Sequence, residues 1–485
     1  MSSNRIISLA VAGALALAAS AAVQAQSTPR AAGRTAEVPA VSAADVDALK
    51  AQLAAMQARL AELEAAQKAQ ADQVNKASQD AKSAVVATNE AQEAIDRTAD
   101  NLAKTTANVG EWVGRWQWKG DLRYRNENID QEFTAKQRNR DRIRVRAGFI
   151  AKVNDTVRVE VQATTTENSD ARSSNQTLGD SNSRKALDLD TAYAEWSPNA
   201  SWKLTAGKMR YPWVRTSSYF YDGDINPEGV AVNYQQGATG FFGSAFVTRL
   251  AERSVNADSN MFGAQVGWRS NFGDGGRWLV AAGYFDHGGV EGYNLNQAGG
   301  AGGFFGNTTT VSRTICRAPV AVGVACLAND YNIAELIGEL QIKVAGRPLL
   351  LFANYAQNDS ADFGVVSTNP LLNNPAGLDT AYAAGFTYGR ASTPGTWEIG
   401  YMIQKVEKDA LFGQWIDSDF AAGSTDGDGS SFRFAYQFAR NWRFNLSYLM
   451  NKTNNDVATA VVFPTPKTVF DRDYKRLQLD LNMTF

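Results

Sequence analysis

Residues 138–146 read RNRDRIRVR, which places Arg140, Arg142, Arg144 and Arg146 two residues apart. At that spacing in a β-strand all four share one face, and Ile143, Val145, Ala147 and Phe149 share the other. The same parity adds Lys119, Arg123 and Arg125 from the segment before and Arg158 from the segment after. Such a basic ladder has two uses. It attracts anions and sets a field across a confined aqueous space, or it neutralises neighbouring carboxylates such as Asp121 and Glu160. The opposite charge type gathers in 210–227, RYPWVRTSSYFYDGDINP, where Asp222 and Asp224 follow Tyr219, Phe220 and Tyr221.

Other chemistry is poorly supported. His287 is the single histidine, so neither a Ser–His–Asp set nor a histidine-rich zinc site has a second candidate base or ligand. The glycine-rich stretch GGAGGFFG at 299–306 is not followed by a helical pattern and is no phosphate cradle. No enzyme, cofactor or metal is expected. Lys plus Arg number 48 against 50 Asp plus Glu, a balance that gives no reason to expect nucleic-acid binding. Cys316 and Cys326 are the only cysteines, and a disulfide between them is expected if the chain is exported.

Export is what the first residues predict. Arg5, the apolar run 6–19 and the small-x-small triplet Val23-Gln24-Ala25 read as a removable signal peptide over 1–25. A polar linker (26–42) follows. Residues 43–105 then carry a heptad register with no Pro, Gly or Trp. One seam runs through Val46, Leu53, Leu60 and Gln67 to Leu102, the other through Leu49, Met56, Leu63 and Gln70 to Thr98. This predicts an α-helical coiled-coil stalk with a thin seam, leaning on a body that already associates.

From Trp116 the period falls to two. Strands are predicted near 116–129, 139–153, 155–167, 186–197, 200–209, 228–236, 239–249, 259–272, 276–287, 330–344, 347–358, 377–390, 395–408, 429–440, 441–452 and 473–485. Every second connection is tight (VNDT, SPNAS, QQGAT, NFGDGG, AGRP, GRASTPG, ARN), and the others are long. Short and long links alternate when all turns lie on one side of a membrane and all loops on the other. Eight of the eleven tryptophans fall beside the tight turns, as an interfacial girdle requires. In 186–197 Tyr193 and Trp196 have opposite parity, which implies a bulge or a misplaced boundary. The chain ends KRLQLDLNMTF, with Leu477, Leu479, Leu481, Met483 and Phe485 on one face. The fold class is an all-β transmembrane barrel of about sixteen antiparallel strands over 112–485. Its last strand must close on the first, because hydrocarbon tolerates no open edge.

The stretches RNRDRIRVRAGFIAKVND, NQTLGDSNSRKALDLDTAYAEW, LTAGKMRYPW and DGDINPEGVAV, with the terminal strand, resemble the Putative porin family of Gram-negative outer membranes. The resemblance implies a sixteen-stranded channel similar to trimeric porins, with Phe485 as the signal read by the barrel assembly machinery. It also implies a third loop that folds into the lumen, where Asp222 and Asp224 would oppose the arginines; the alternative for this loop is a solvent-exposed cap. The function expected is passive diffusion of small hydrophilic solutes or ions, with a preference for anions set by the arginines. The other partners expected are outer-membrane lipid and two further copies of the chain, with the stalk in the periplasm. An alternative is a tether joining the outer membrane to the cell wall through the stalk. An outer-membrane hydrolase is the distant third.

Overall fold

The structure is a computed structural model that describes residues 44–62 (apart from 45, 49 and 60) and 114–485 (apart from 133, 169, 296–302, 318–319, 322–323, 362–376 and 454–471). The contacts divide the chain into two units, Met1–Ala94 and Ile95–Phe485. In the first, the described residues of 44–62 are helical, and the seam side chains Val46, Leu53 and Met56 are exposed. The signal segment and the rest of the heptad stretch lie outside the described residues. Among the described residues no helix is long and apolar enough to cross a membrane.

The second unit is built of β1 (Trp116–Gln131), β2 (Arg138–Lys152), β3 (Val157–Thr166), β4 (Gln176–Thr177), β5 (Ala186–Trp196), β6 (Trp202–Lys208) and β7 (Glu228–Gln235). It continues through β8 (Gly240–Ala251), β9 (Ser259–Phe272), β10 (Gly276–Asp286), β11 (Thr309–Thr310), β12 (Cys326–Leu327) and β13 (Asn332–Val344). The last are β14 (Arg347–Asn358), β15 (Thr380–Gly389), β16 (Trp397–Val406), β17 (Gly427–Ala439), β18 (Trp442–Thr453) and β19 (Arg472–Thr484). Sixteen of these form one antiparallel cylinder in sequence order, and β19 pairs back onto β1 from Asp121↔Thr484 to Gln131↔Tyr474. The two-residue strands lie in loops. β4 adds to the upper part of β2, and β11 pairs with β12.

The sixteen strands coincide with the sixteen alternating segments of the sequence to within a few residues. Period-two patterning fixes the faces. In β19, Arg476, Gln478 and Asp480 are buried inside, while Leu481 and Phe485 are exposed outside. In β17, Phe432, Tyr436 and Phe438 are exposed outside and Gln437 is buried inside. The parity conflict in β5 is no irregularity of the ladder, which runs unbroken from Thr191 to Trp196 with Tyr193 facing inward; a bulge lies earlier, where Gln162 pairs with Thr191 but the next residue, Ala163, pairs with Leu189. Asp190 and Thr191 therefore both sit inside, Tyr193 points into the lumen, and Leu189 and Trp196 point out.

The tight connections are as short as Ala345–Gly346, where φ values of 48° and 75° give the doubly left-handed turn that matches strand twist. Trp118, Trp196, Trp202 and Trp268 stand exposed on the outer surface near these turns. Closure is sealed at the last residue. Phe485 exchanges two backbone hydrogen bonds with Gly120, both 3.0 Å, and its ring lies where a β-carbon on Gly120 would be. Only glycine leaves room for the ring.

Candidate functional site

The described residues of the long connections L2 (167–185), L3 (209–227), L5 (287–331) and L7 (407–426) rise at the opposite end and turn inward. L3 is tied to lumen-facing side chains along its length. Asn233 of β7 donates to the Pro212 carbonyl, and Gln265 of β9 clasps both the N–H and C=O of Val214 at 2.9 Å. Thr216 bonds Asn354 of β14, the Tyr219 N–H donates to Gln404 of β16 at 2.9 Å, and the Tyr219 hydroxyl meets Ser431 of β17 at 3.0 Å. A loop bonded in turn to five walls lies within the barrel. The inward third loop is thus a feature of the structure.

L3 is held there by an apolar core inside the lumen. Trp213 stacks between Phe246 of β8 (4.8 Å between centroids, 11°) and Trp415 of L7 (6.1 Å, 8°). Phe220, Phe285, Tyr331, Leu411 and Phe412 are all at most 2 % exposed in the same cluster. Trp213 and Trp415 are two of the three tryptophans outside the girdle, a signal present in the sequence but without a partner until L7 folds in. L5 contributes a disulfide between Cys316 and Cys326, with β12 carrying the second cysteine.

The arginine ladder points inward, as its parity requires, but most of it is covered. The Arg125 guanidinium donates to Asp480 at 2.7 and 2.9 Å and reaches Asp419 of L7 at 3.3 Å. Arg140 pairs with Glu127, which also accepts from Arg476. Arg142 donates to Ser173 and to the Asn175 carbonyl of L2, both at 3.2 Å, and Arg123 donates to the Asn175 side chain at 2.5 Å. The side chains of Arg123, Arg125 and Arg142 are 11 % exposed or less. L2 and L7 cover them, a packing that no strand periodicity records.

The two loop carboxylates separate. Asp224 accepts from the Ser174 N–H (3.0 Å) and hydroxyl (2.8 Å); burial opposes its charge, but Arg144 and Arg123 hold it below the ordinary carboxylate range. It sits on the ladder itself. Asp222 turns into L7, where it accepts from the Ser418 N–H at 2.8 Å and is 4 % exposed. It does not oppose the arginines across open water, because the L3 return leg is bonded to L7. Burial, then Asp417 and Asp224, push the Asp222 carboxyl well up. Burial and Asp419 raise Asp417 to about 7, whereas Arg476 and Arg125 outweigh burial at Asp419 and hold it low.

Charge open to the lumen lies from the short-turn end of the first strands up to the root of L3. Three carboxylates there each serve two cations. Asp121 accepts from Arg144 (2.8 Å) and Arg146 (2.6 Å); Glu160 from Lys119 (2.6 Å) and Arg210 (2.9 Å); Glu195 from Arg158 (2.7 Å) and Lys203 (3.4 Å). Within these ion pairs six cations share three carboxylates, a surplus of three positive charges. Arg158, Lys203 and Arg210 are the most open, at 46, 42 and 45 % exposure. Of these, only Arg158 belongs to the ladder read from the sequence. Lys203 lies on the short strand β6 and Arg210 at the root of L3, where periodicity is weakest. Among the described residues no group of three or more His, Cys, Asp or Glu is placed to hold a metal ion.

A family profile described as Putative porin matches residues 129–485. No curated protein matches the chain. Among solved structures, the high-pH structure of Pseudomonas putida OprB matches with 10 % identity, a TM-score of 0.48, and coverage of 78 % of this chain and 96 % of that one. Vibrio cholerae OmpT in its trimer form matches with 14 % identity, a TM-score of 0.43, and coverage of 76 and 99 %. A triple mutant of the Rhodopseudomonas blastica porin matches with 12 % identity, a TM-score of 0.40, and coverage of 76 and 100 %.

Proposed function

The chain belongs to the Putative porin family, and from that premise we propose that it forms a water-filled outer-membrane channel for passive diffusion of small hydrophilic solutes, with a modest preference for anions. The observation that carries the ion preference is the shared-carboxylate cluster, in which Lys119, Arg144, Arg146, Arg158, Lys203 and Arg210 form their ion pairs two to a carboxylate with Asp121, Glu160 and Glu195. Ions passing the cluster meet a net positive wall, so anions are enriched and cations depleted. The deeper arginines act differently in this proposal. Arg123, Arg125, Arg140 and Arg142 neutralise carboxylates and bind L2 and L7, so they brace the constriction more than they select through it.

L3 narrows the lumen, and the Trp213–Trp415 stack keeps it from swinging out. The heptad segment forms a periplasmic coiled coil, and the barrel assembles as a homotrimer in outer-membrane lipid. The test is conductance and zero-current potential of the purified chain in planar bilayers. Discrete ohmic steps with an anion-selective potential are expected. An inserted barrel that conducts nothing would refute the channel and favour the tether.

A further inference from the structure

Beneath L3, at the short-turn end of the lumen, the turn 197–201 and the inner faces of β6 to β9 enclose a cavity of about 330 Å³, with Pro212, Trp213 and Val214 as its roof. That is the low end of the range for small-molecule sites, roughly 300–1,000 Å³. Strand register orders the wall. Lys203, Asn233, Ser244 and Gln265 pair in one row across β6–β9. Arg269 pairs with Gly240, and its guanidinium lies over the ring of Phe242, 4.3 Å from the centroid, one inward position nearer that row.

None of the lining residues carries a side-chain carboxylate. Glu195, outside the cavity, is shared by Lys203 and Arg158. On the neighbouring strands, Glu339 stands beyond Leu279 from Arg269 and has Arg277 acting on it, and Asp274 pairs with Lys343 at 2.7 Å. Among the described residues Arg269 itself makes no ion pair and no hydrogen bond, and its Nε is buried. Two more donors in the same lining are buried and unpartnered, the Ser244 hydroxyl and the indole N–H of Trp213. A part-buried guanidinium with no counter-ion, beside unused donors, asks for a ligand that brings one negative charge and acceptor oxygens.

We propose that this cavity is a binding subsite for small monocarboxylates. The carboxylate accepts from the Arg269 guanidinium and the Ser244 hydroxyl, with Lys203 adding attraction, and a short apolar tail lies against Pro212 and Val214. The planar guanidinium fork matches the two oxygens of a carboxylate, and one uncompensated charge matches one carboxylate better than a multiply charged oxyanion. The proposal deepens the anion-preferring channel and rests on that reading for the solute's route to the cavity, though not for its binding there.

The purified protein in detergent is titrated with sodium propionate at pH 7 and low salt, and binding is followed by saturation-transfer difference NMR of the propionate methyl signal. Propionate should saturate. Propionamide, its neutral counterpart, should not bind, and chloride or phosphate at equal concentration should displace propionate poorly. Arg269 has no hydrogen-bond or ion-pair partner among the described residues, so R269Q keeps a heat-modifiable barrel, and propionate affinity should fall about tenfold or more. S244A, a smaller change, should weaken binding several-fold. The proposal is overturned if propionate fails to saturate, or if either variant binds it as tightly as the wild type. Binding of propionamide would show an apolar slot, and equal displacement by chloride or phosphate would show a site that reads charge alone; either overturns it. None of these readouts needs current. An anion-selective channel that fails them sinks the subsite alone, and a barrel that binds propionate but passes no current sinks the channel alone.

Discussion

Arg158→Gln, Lys203→Gln and Arg210→Gln together should erase the ion preference without disturbing the barrel. These three side chains face water; Glu160 keeps Lys119, and Glu195 exchanges both of its cations for the neutral amides introduced. One unit charge at about 10 Å contributes about 0.4 kcal/mol in water, and ~0.15 kcal/mol after screening at 0.1 M salt. Three surplus charges then amount to ~0.5 kcal/mol, which enriches anions about twofold and depletes cations about twofold, a permeability ratio of about five. Across a tenfold salt gradient that ratio corresponds to roughly 30 mV of zero-current potential. The triple variant has three cations on three carboxylates in this cluster, and its potential should fall close to zero. Raising the salt to about 1 M should shrink the wild-type preference, since the screening length falls to about 3 Å. A wild-type potential near zero, or one unchanged in the properly inserted triple variant, would refute the reasoning. By contrast, Arg142→Gln, whose side chain is 6 % exposed against L2, should lower thermal stability more than it moves the potential.

Trp213→Ala removes a ring packed between Phe246 and Trp415; the expected loss is about 3–5 kcal/mol from the L3 anchorage, seen as larger, noisier conductance steps in an inserted channel. The L3–L7 contact should also respond to pH. The carboxyl of Asp417, facing Asp222, Asp419 and Arg476, is raised to about 7, so its contribution is whole below the ordinary carboxylate range and is lost as pH rises through about 7. Gating noise should therefore be greater at pH 8.5 than at pH 5.5, and D417N should abolish the difference; Asp419, held low, loses its contribution only in stronger acid. Deleting Phe485, or replacing Gly120 with Leu, should reduce membrane-inserted, heat-modifiable barrel while export continues, because both changes remove the seat of the closing ring. Deleting residues 43–105 should leave an inserted, conducting barrel with a weaker oligomer, and surface labelling of a cysteine placed in that segment in intact cells would contradict a periplasmic stalk.

The barrel wall was legible in the linear order of residues because a strand in a closed sheet obeys a local rule. Side chains alternate, one face meets an apolar medium and the other water, and each tight turn is written in two to seven consecutive residues. Leu477 to Phe485, the arginines of β2 and the tryptophans beside the turns all obey it; the apparent conflict between Tyr193 and Trp196 came from a tyrosine that faces the lumen, while the β5 bulge at Asp190 left no such mark. What fills the lumen obeys no such rule. Asp222 and Asp224 are two residues apart, yet one meets Ser418 and the other Ser174, far apart in the chain. The paths of L2, L3 and L7 decide which arginines are covered, which carboxylate each cation shares, and that Lys203 and Arg210 stand open while Arg125 and Arg142 do not. Charge type and facing are set locally by strand parity; exposure and pairing are sums over distant segments, and those sums exist only once the loops have folded inward.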